Sequence, residues 1–254
     1  MIWTLHFLGV GNAAAADQLG SSSAVIERDG APALMIDCGQ EALAAYQRAY
    51  GAIPPAVFIT HVHMDHVAGL ERLFFAARFD PKYCGRVRLY VPAAVVPHLQ
   101  ARVADYPGVL AEGGSNFWDA FQLVPVSSGF WHHNYWHDVF AVRHHAPGTA
   151  FGLRLRGALV YTGDTRPIPE VLSQQADHHE LIAHDCGLIG NPSHSGLDDL
   201  EREYGEDLLR RLLLYHYGSV AEADAMQLRG YSVARAGQRV IVSTPAVPPV
   251  QETA

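Results

Sequence analysis

Along the chain, short apolar runs alternate with stretches in which apolar residues recur every three or four positions. Runs rich in β-branched and aromatic residues cover Trp3 to Leu8, Ala24 to Glu27, Ala33 to Asp37, Val57 to Thr60 and Val87 to Val91. They return at Val139 to His144, Gly152 to Leu155, Ala158 to Tyr161 and Val240 to Ser243. Gly, Pro, Asp or Asn bound them, which end a ladder or set a turn, so each run predicts a strand. Apolar spacing near i, i+3 and i+4 predicts helices over Gln40 to Ala49 and Val67 to Ala77, and longer surface helices over Asp198 to Leu214 and Val220 to Gly230. Two strand-rich halves with helices between and after them predict two sheets packed face to face with helices outside, an α/β fold of four αββα layers.

Composition narrows the picture. The 254 residues are 49% hydrophobic, enough for a large buried core, and neither a linker nor a repeat interrupts them, so a single domain over 1–254 is expected. A formal charge of −8 disfavours a long nucleic acid as partner, because phosphate-backbone binding draws on several Lys and Arg at once. Cys38, Cys84 and Cys186 are odd in number and lack C-x-x-C spacing, which suits reduced thiols in a cytoplasmic protein. Met1 to Gly9 reads as a first strand without a basic leader, and no apolar run approaches the roughly eighteen residues of a membrane span.

Chemistry collects where the apolar runs end. His61-Val62-His63-Met64-Asp65-His66 places three imidazoles and one carboxylate in six residues, directly after Ala56 to Ile59. Ionisable groups crowded at a strand end must be desolvated, paired or coordinated, and this density points to a metal site over a chance cluster on a solvated loop. On an extended chain His61 and His63 project to one side and could hold one ion, while Asp65 and His66, past a tight turn, could reach a second. Asp37, His144, His145, Asp164 and His216 also follow or end such runs, so the set predicts a cleft along one edge of the sandwich.

These residues resemble the metallo-β-lactamase superfamily, and within it the ribonuclease Z and phosphodiesterase branch. The likeness runs through Leu8-Gly9 and Gly11, Ile36-Asp37-Cys38-Gly39, Thr60 to His66, a histidine before Gly152, Thr162-Gly163-Asp164-Thr165, His194-Ser195 and His216. It implies the αββα metallo-β-lactamase sandwich with its metal site at one edge of the two sheets. It also implies that His61, His63 and His144 hold a first divalent transition-metal ion, that Asp65, His66 and His216 hold a second, and that Asp164 bridges them. Zinc is the expected metal, with manganese and iron suited to the same donors. The two ions would trap a water as bridging hydroxide near neutral pH. Asp65 would help orient it, and His194 would protonate the leaving oxygen, since an imidazole carries and releases a proton readily.

Several positions stay open at this level. His144 and His145 end the same run and point to opposite faces; alternation with Phe140 and Val142, and Pro147 three residues on, favour His144. His194 also reads as an ordinary loop histidine. Asp37 is expected to accept a hydrogen bond from a ligand imidazole, while His184-Asp185 reads equally as support for ligands or as a capped strand end. Arg166, just beyond Asp164, could meet an anionic substrate but is expected to be solvated, and Asp177-His178-His179 is expected to be a loop. The aromatic stretch Asn116 to Asp138 either overhangs the cleft, closes the sandwich as a strand pair, or forms a homodimer surface.

Ribonuclease Z enzymes carry a long arm for transfer RNA, in many of them between the equivalents of His144 and Asp164. Only the short Ala146 to Gly163 stretch fits there in this chain, so the expected substrate is a small or cyclic phosphodiester. The expectation is thus a dinuclear metal-dependent phosphodiesterase. Hydrolysis of a lactam, lactone or thioester on the same site is one alternative; a non-hydrolytic di-iron protein that binds oxygen or senses a ligand is another.

Overall fold

The computed structural model describes residues 1–105 and 108–246. One sheet is built from β1 (Trp3–Gly9), β2 (Ser23–Arg28), β3 (Ala31–Ile36), β4 (Ala56–Phe58), β5 (Val87–Pro92) and β6 (Phe121–Val126). A second follows in β7 (Gly129–His132), β8 (Tyr135–Ala141), β9 (Phe151–Leu155), β10 (Leu159–Tyr161), β11 (Leu181–Asp185), β12 (Leu212–Tyr215) and β13 (Ser232–Val233). The chain then returns as β14 (Arg239–Val242) to pair with β1, giving orders β14-β1-β2-β3-β4-β5-β6 and β13-β12-β11-β10-β9-β8-β7.

Both sheets change character halfway across. β14, β1, β2 and β3 are antiparallel neighbours, whereas β3 to β6 run parallel. The second sheet repeats this, antiparallel from β7 to β10 and parallel from β10 to β13. Parallel neighbours need helical crossovers, supplied by Ala42–Tyr50 and Gly69–Arg78 on one side and by Pro169–Gln175, Leu197–Glu203 and Val220–Leu228 on the other. The carboxyl ends of parallel strands therefore open on a common edge, the usual place for a ligand crevice in such sheets.

The side chains explain the layering. In β4, Ala56 and Phe58 enter the core between the sheets while Val57 faces the outer helices, so the strand reads as unbroken apolar sequence. Tyr90 stacks on Phe130 with ring centroids 4.0 Å apart, and Phe7 meets Tyr215, closing the sheets on each other. The αββα sandwich expected from the sequence is the observed fold. Among the described residues no helix is long and apolar enough to cross a membrane.

Two regions differ from their sequence-based expectation, and the aromatic stretch takes the strand-pair reading among its alternatives. The single helix over Asp198 to Leu214 is instead two short helices, Leu197–Glu203 and Glu206–Leu209, followed by β12. A four-residue apolar run has no periodicity to separate helix from strand, and only burial on both faces makes Leu212 to Tyr215 a strand. β8 starts at Tyr135 and stops at Ala141, short of His144. The aromatic stretch supplies the β7–β8 hairpin, with Phe117, Phe121, Phe130 and Tyr135 buried in the cores.

That hairpin holds two neutral histidines. His132 lies between the Tyr90 hydroxyl and the Ala33 carbonyl oxygen, 3.1 and 2.9 Å away, and His137 stacks on Phe130 at 5.0 Å. Burial pulls His132 down to about 4 and His137 down to about 3. In the unfolded chain each takes up a proton near pH 6.5, so the unfolded state binds more protons below that pH. Stability from this source is full above pH ~6.5 and drains away as pH falls through about 4 and 3. The thermal midpoint is expected to fall between pH ~7 and ~5, and to fall less in His137→Leu. An equal fall in the variant would exclude His137 as a source.

Candidate metal centre

Five strand ends deliver the ionisable groups to the open edge. β3 ends beside Asp37, β4 leads into Thr60 to His63, β10 into Asp164, β11 ends in Asp185, and β12 precedes His216. Two glycines let the first pair approach. A Cβ on Gly39 would stand 2.0 Å from the Asp65 carbonyl oxygen, and one on Gly69 2.3 Å from that of Gly39. The Cys38 amide donates to the His66 carbonyl at 2.7 Å and the Gly69 amide to the Cys38 carbonyl at 2.9 Å, locking the strand end to the short helix Met64–Val67. Asp37 and His216 both have left-handed backbones, at φ 58° and 70°. Non-glycine residues hold that conformation only where surroundings fix it. Here the Ser23 hydroxyl donates to the Asp37 carbonyl at 2.8 Å, and the His216 amide to that of Val10 at 2.8 Å.

Imidazoles converge on one carboxylate. From Asp164 Oδ2, Nε2 of His66 lies at 3.2 Å, of His216 at 3.3 Å, of His61 at 3.6 Å and of His144 at 3.9 Å. His63 Nδ1 stands 3.1 Å from His61 Nε2 and 3.2 Å from His144 Nε2. Asp65 Oδ2 lies 3.5 Å from His66 Nε2 and 3.6 Å from His216 Nε2. Two of the resulting donor groups are His61, His63, His144 and Asp164, and Asp65, His66, Asp164 and His216, each with its donor atoms within 4.8 Å of one another. Asp164 belongs to both.

The far nitrogens of these rings are held from behind. His66 Nδ1 donates to Asp37 Oδ2 at 2.8 Å, and His144 Nδ1 to the Ser193 carbonyl at 2.9 Å. Thr60 Oγ1 spends its proton on Asp37 Oδ2 at 2.7 Å, so it accepts from His61 Nδ1 at 3.0 Å. His216 Nδ1 faces Asp185 Oδ1 at 3.3 Å. Such partners fix tautomer and ring orientation, and turn the Nε2 lone pairs inward.

Three of the inward atoms have no partner of their own. His66 Nε2, His216 Nε2 and Asp164 Oδ1 are buried without a hydrogen bond among the described residues. Unpaired buried polar atoms are costly, and a cation placed among them would satisfy all three. The electrostatics agree. Burial lowers the His216 imidazole, but Asp164 and Asp185 outweigh it and push the group up to about 10. Burial likewise works to raise Asp164, yet His216, His66 and His61 hold it well below the carboxylate range. A pocket with this field draws positive charge, as protons or as metal cations. The donor set fits divalent transition metals.

Neighbouring residues sort themselves around this centre. His145 is exposed at φ 50° and lies outside both donor groups, its ring packed edge-on against His63 at 4.6 Å. His184 and Asp185 diverge: His184 Nε2 meets the Tyr204 hydroxyl at 2.7 Å, whereas Asp185 Oδ2 accepts from His194 Nδ1 at 2.9 Å and from the Thr165 amide at 2.8 Å. His194 stacks on His216 with centroids 4.8 Å apart. Arg166 is not simply solvated. It donates to the Asn191 and His194 carbonyls at 2.9 and 3.1 Å and pairs with Asp199 at 2.8 Å, so it clamps the loop that carries His194. Its partners come from more than twenty residues away, beyond the reach of local reading. His178 and His179 lie on an exposed loop.

In front of the donors opens a cleft of about 830 Å³, lined also by Asn12, Asp17, Glu41, Met64, Arg102 and Glu222. No residue from 116–138 lines it, which sets aside the aromatic overhang. Thr60, Ser193 and Arg166 are the supporting residues that sequence reasoning missed; two of them act through backbone carbonyls, or on them, which leave no mark in the residue pattern.

A family model described as Anti-Pycsar protein Apyc1 matches residues 3–240. An Anti-Pycsar protein Apyc1 from Saccharibacillus brassicae is 31% identical over 226 residues, covering 86% of this chain and 91% of that relative. Among solved structures, the metallo-β-lactamase fold protein YhfI from Bacillus subtilis aligns with a TM-score of 0.74 at 15% identity, over 95% of this chain and 100% of its own. A diphosphatase from the PhnP family aligns with a TM-score of 0.73 at 17% identity, over 94% of this chain and 97% of its own. Identities this low speak to the fold alone, and that fold is the metallo-β-lactamase sandwich.

Proposed function

Because this chain belongs to the Anti-Pycsar protein Apyc1 family, we propose that its cleft hydrolyses a small or cyclic phosphodiester with two divalent transition-metal ions, zinc first, with manganese or iron as substitutes. His61, His63 and His144 would hold one ion and Asp65, His66 and His216 the other, with Asp164 between them. The observation that carries the reading is Asp164, a buried carboxylate common to two imidazole-rich donor groups. Bound there, the ions would supply Lewis acidity towards phosphoryl oxygens and water activated near neutral pH.

The chain's own residues supply position and protons. Burial works to raise Asp65, but His216 and His66 outweigh it and keep the carboxylate ionised, fit to orient an attacking water. His194 donates its Nδ1–H to Asp185 Oδ2, and with a second proton, taken up from solvent, on Nε2 the ring would protonate a departing alkoxide. The acidic cleft walls at Asp17, Glu41 and Glu222 disfavour a polyanion, as does the short β9–β10 hairpin where a nucleic-acid arm would stand. The free thiols of Cys38, Cys84 and Cys186 suit a reducing, cytoplasmic setting.

Metal-reconstituted protein is expected to hydrolyse bis(p-nitrophenyl) phosphate and cyclic AMP, and a chelator to stop both. Protein that cleaves a lactam, lactone or thioester under the same loading but no diester would overturn the assignment.

A further inference from the structure

The charged lining of the cleft is one-sided. Beyond the metal-donor edge it carries Asp17, Glu41 and Glu222, and against them, among the described residues, a single Lys or Arg, Arg102. Glu41 accepts from the Ser21 hydroxyl at 2.5 Å, and Glu222 accepts from the Leu188 and Gly218 amides at 3.3 and 3.2 Å, so both are tied into the walls. Arg102 is exposed and takes part in no ion pair among the described residues. The nearest acid in sequence, Asp105, already accepts from Gln100 Nε2, and Gln100 Oε1 in turn accepts from Trp118 Nε1 at 2.5 Å.

The backbone under Arg102 is unusual. The Asp105 amide donates to the Gln100 carbonyl at 2.9 Å, five residues back, so Gln100–Ala104 is a π-helical turn. It keeps Val103 and Ala104 in the core while Arg102 stays out over the cleft. Turns of this kind are rare and recur where a side chain must be re-aimed for function. A guanidinium offers a planar fork of donors matched to two phosphate oxygens, which a lysine does not.

We propose that Arg102 is the substrate-anchoring cation of the cleft: its guanidinium meets the anionic phosphodiester from the π-helical turn Gln100–Ala104, and it sets affinity while bond cleavage stays with the Asp164 edge. The inference rests on the phosphodiesterase reading and names a residue that reading does not require. A residue of this kind moves KM, and leaves kcat nearly alone, because it contacts substrate and transition state alike.

The test is kinetics of metal-loaded Arg102→Ala and Arg102→Lys on cyclic AMP, with binding of a slowly hydrolysed phosphorothioate analogue measured by calorimetry. Arg102→Ala is expected to raise both KM and the analogue's Kd by about ten- to a hundredfold, the span of one charge-assisted hydrogen bond, with kcat within about threefold. Arg102→Lys should fall between, and the fall of kcat/KM with added salt should be shallower in the alanine variant. Arg86→Ala, outside the cleft lining, serves as the charge control, and unchanged thermal midpoints show intact folding. Unchanged KM and Kd, or a loss confined to kcat, overturns the proposal. A wild type that binds the analogue but cleaves no diester sinks the hydrolase reading and leaves Arg102 to be judged on Kd; one that binds nothing sinks both.

Discussion

An Asp164→Asn variant is expected to lose diester hydrolysis by about 10³-fold or more and to emerge from dialysis with only trace transition metal. Asparagine has nearly the same shape, so the change removes charge and one acceptor oxygen without opening a cavity. That charge is what the site is organised around: Nε2 of His61, His66, His144 and His216 all lie within 4 Å of Asp164 Oδ2. Each proposed donor group would then lose its shared member, and with it the only carboxylate of the His61 side. Two-metal hydrolases draw several kcal/mol of transition-state stabilisation from their ions, and about 4 kcal/mol corresponds to roughly 10³ in rate. The measurement is elemental analysis beside turnover of bis(p-nitrophenyl) phosphate. A variant that keeps its metal and more than a tenth of its activity would show that the edge works without its central carboxylate.

The fold and the position of the centre were readable in the sequence to different depths, for physical reasons. Strands buried on both faces announce themselves as apolar runs, and a ligand-dense hexapeptide after such a run places the edge of a sheet. Leu212 to Tyr215 escaped because four apolar residues carry no period, and the preceding helix pattern ran into them. Strand alternation and the position of Pro147 favour His144 over His145, yet β8 has ended by Ala141. What separates the two is tertiary: the Ser193 carbonyl receives His144 Nδ1, while His145 turns outward on a left-handed backbone. The support given by Arg166 and Thr60 depends likewise on partners far away in sequence. Chemistry-bearing side chains were visible in the chain; the carbonyls and backbone angles that aim them were not.

Loss of the His194 imidazole is expected to discriminate between substrates. In His194→Ala, cleavage of cyclic AMP should slow by about 10²- to 10⁴-fold, the usual worth of a positioned proton donor, while bis(p-nitrophenyl) phosphate should slow less than about tenfold. A ribose alkoxide is a strong base and departs poorly without a proton; p-nitrophenolate departs as a stable anion and needs none. The geometry supports the role, since Asp185 Oδ2 holds His194 Nδ1 at 2.9 Å and Arg166 fixes the backbone of the same loop. Asp185→Asn should add a loss shared by both substrates, because it removes the charge facing His216 Nδ1 at 3.3 Å as well as the anionic acceptor of His194. The same edge offers a sharper alternative: Asp164, Asp185, His194 and His216 also bring donor atoms within 4.8 Å of one another. Were His194 a metal ligand in that group, its removal would strip metal and depress both substrates equally. Full metal content with a loss restricted to the alkoxide-leaving substrate is therefore the outcome that assigns His194 to proton transfer.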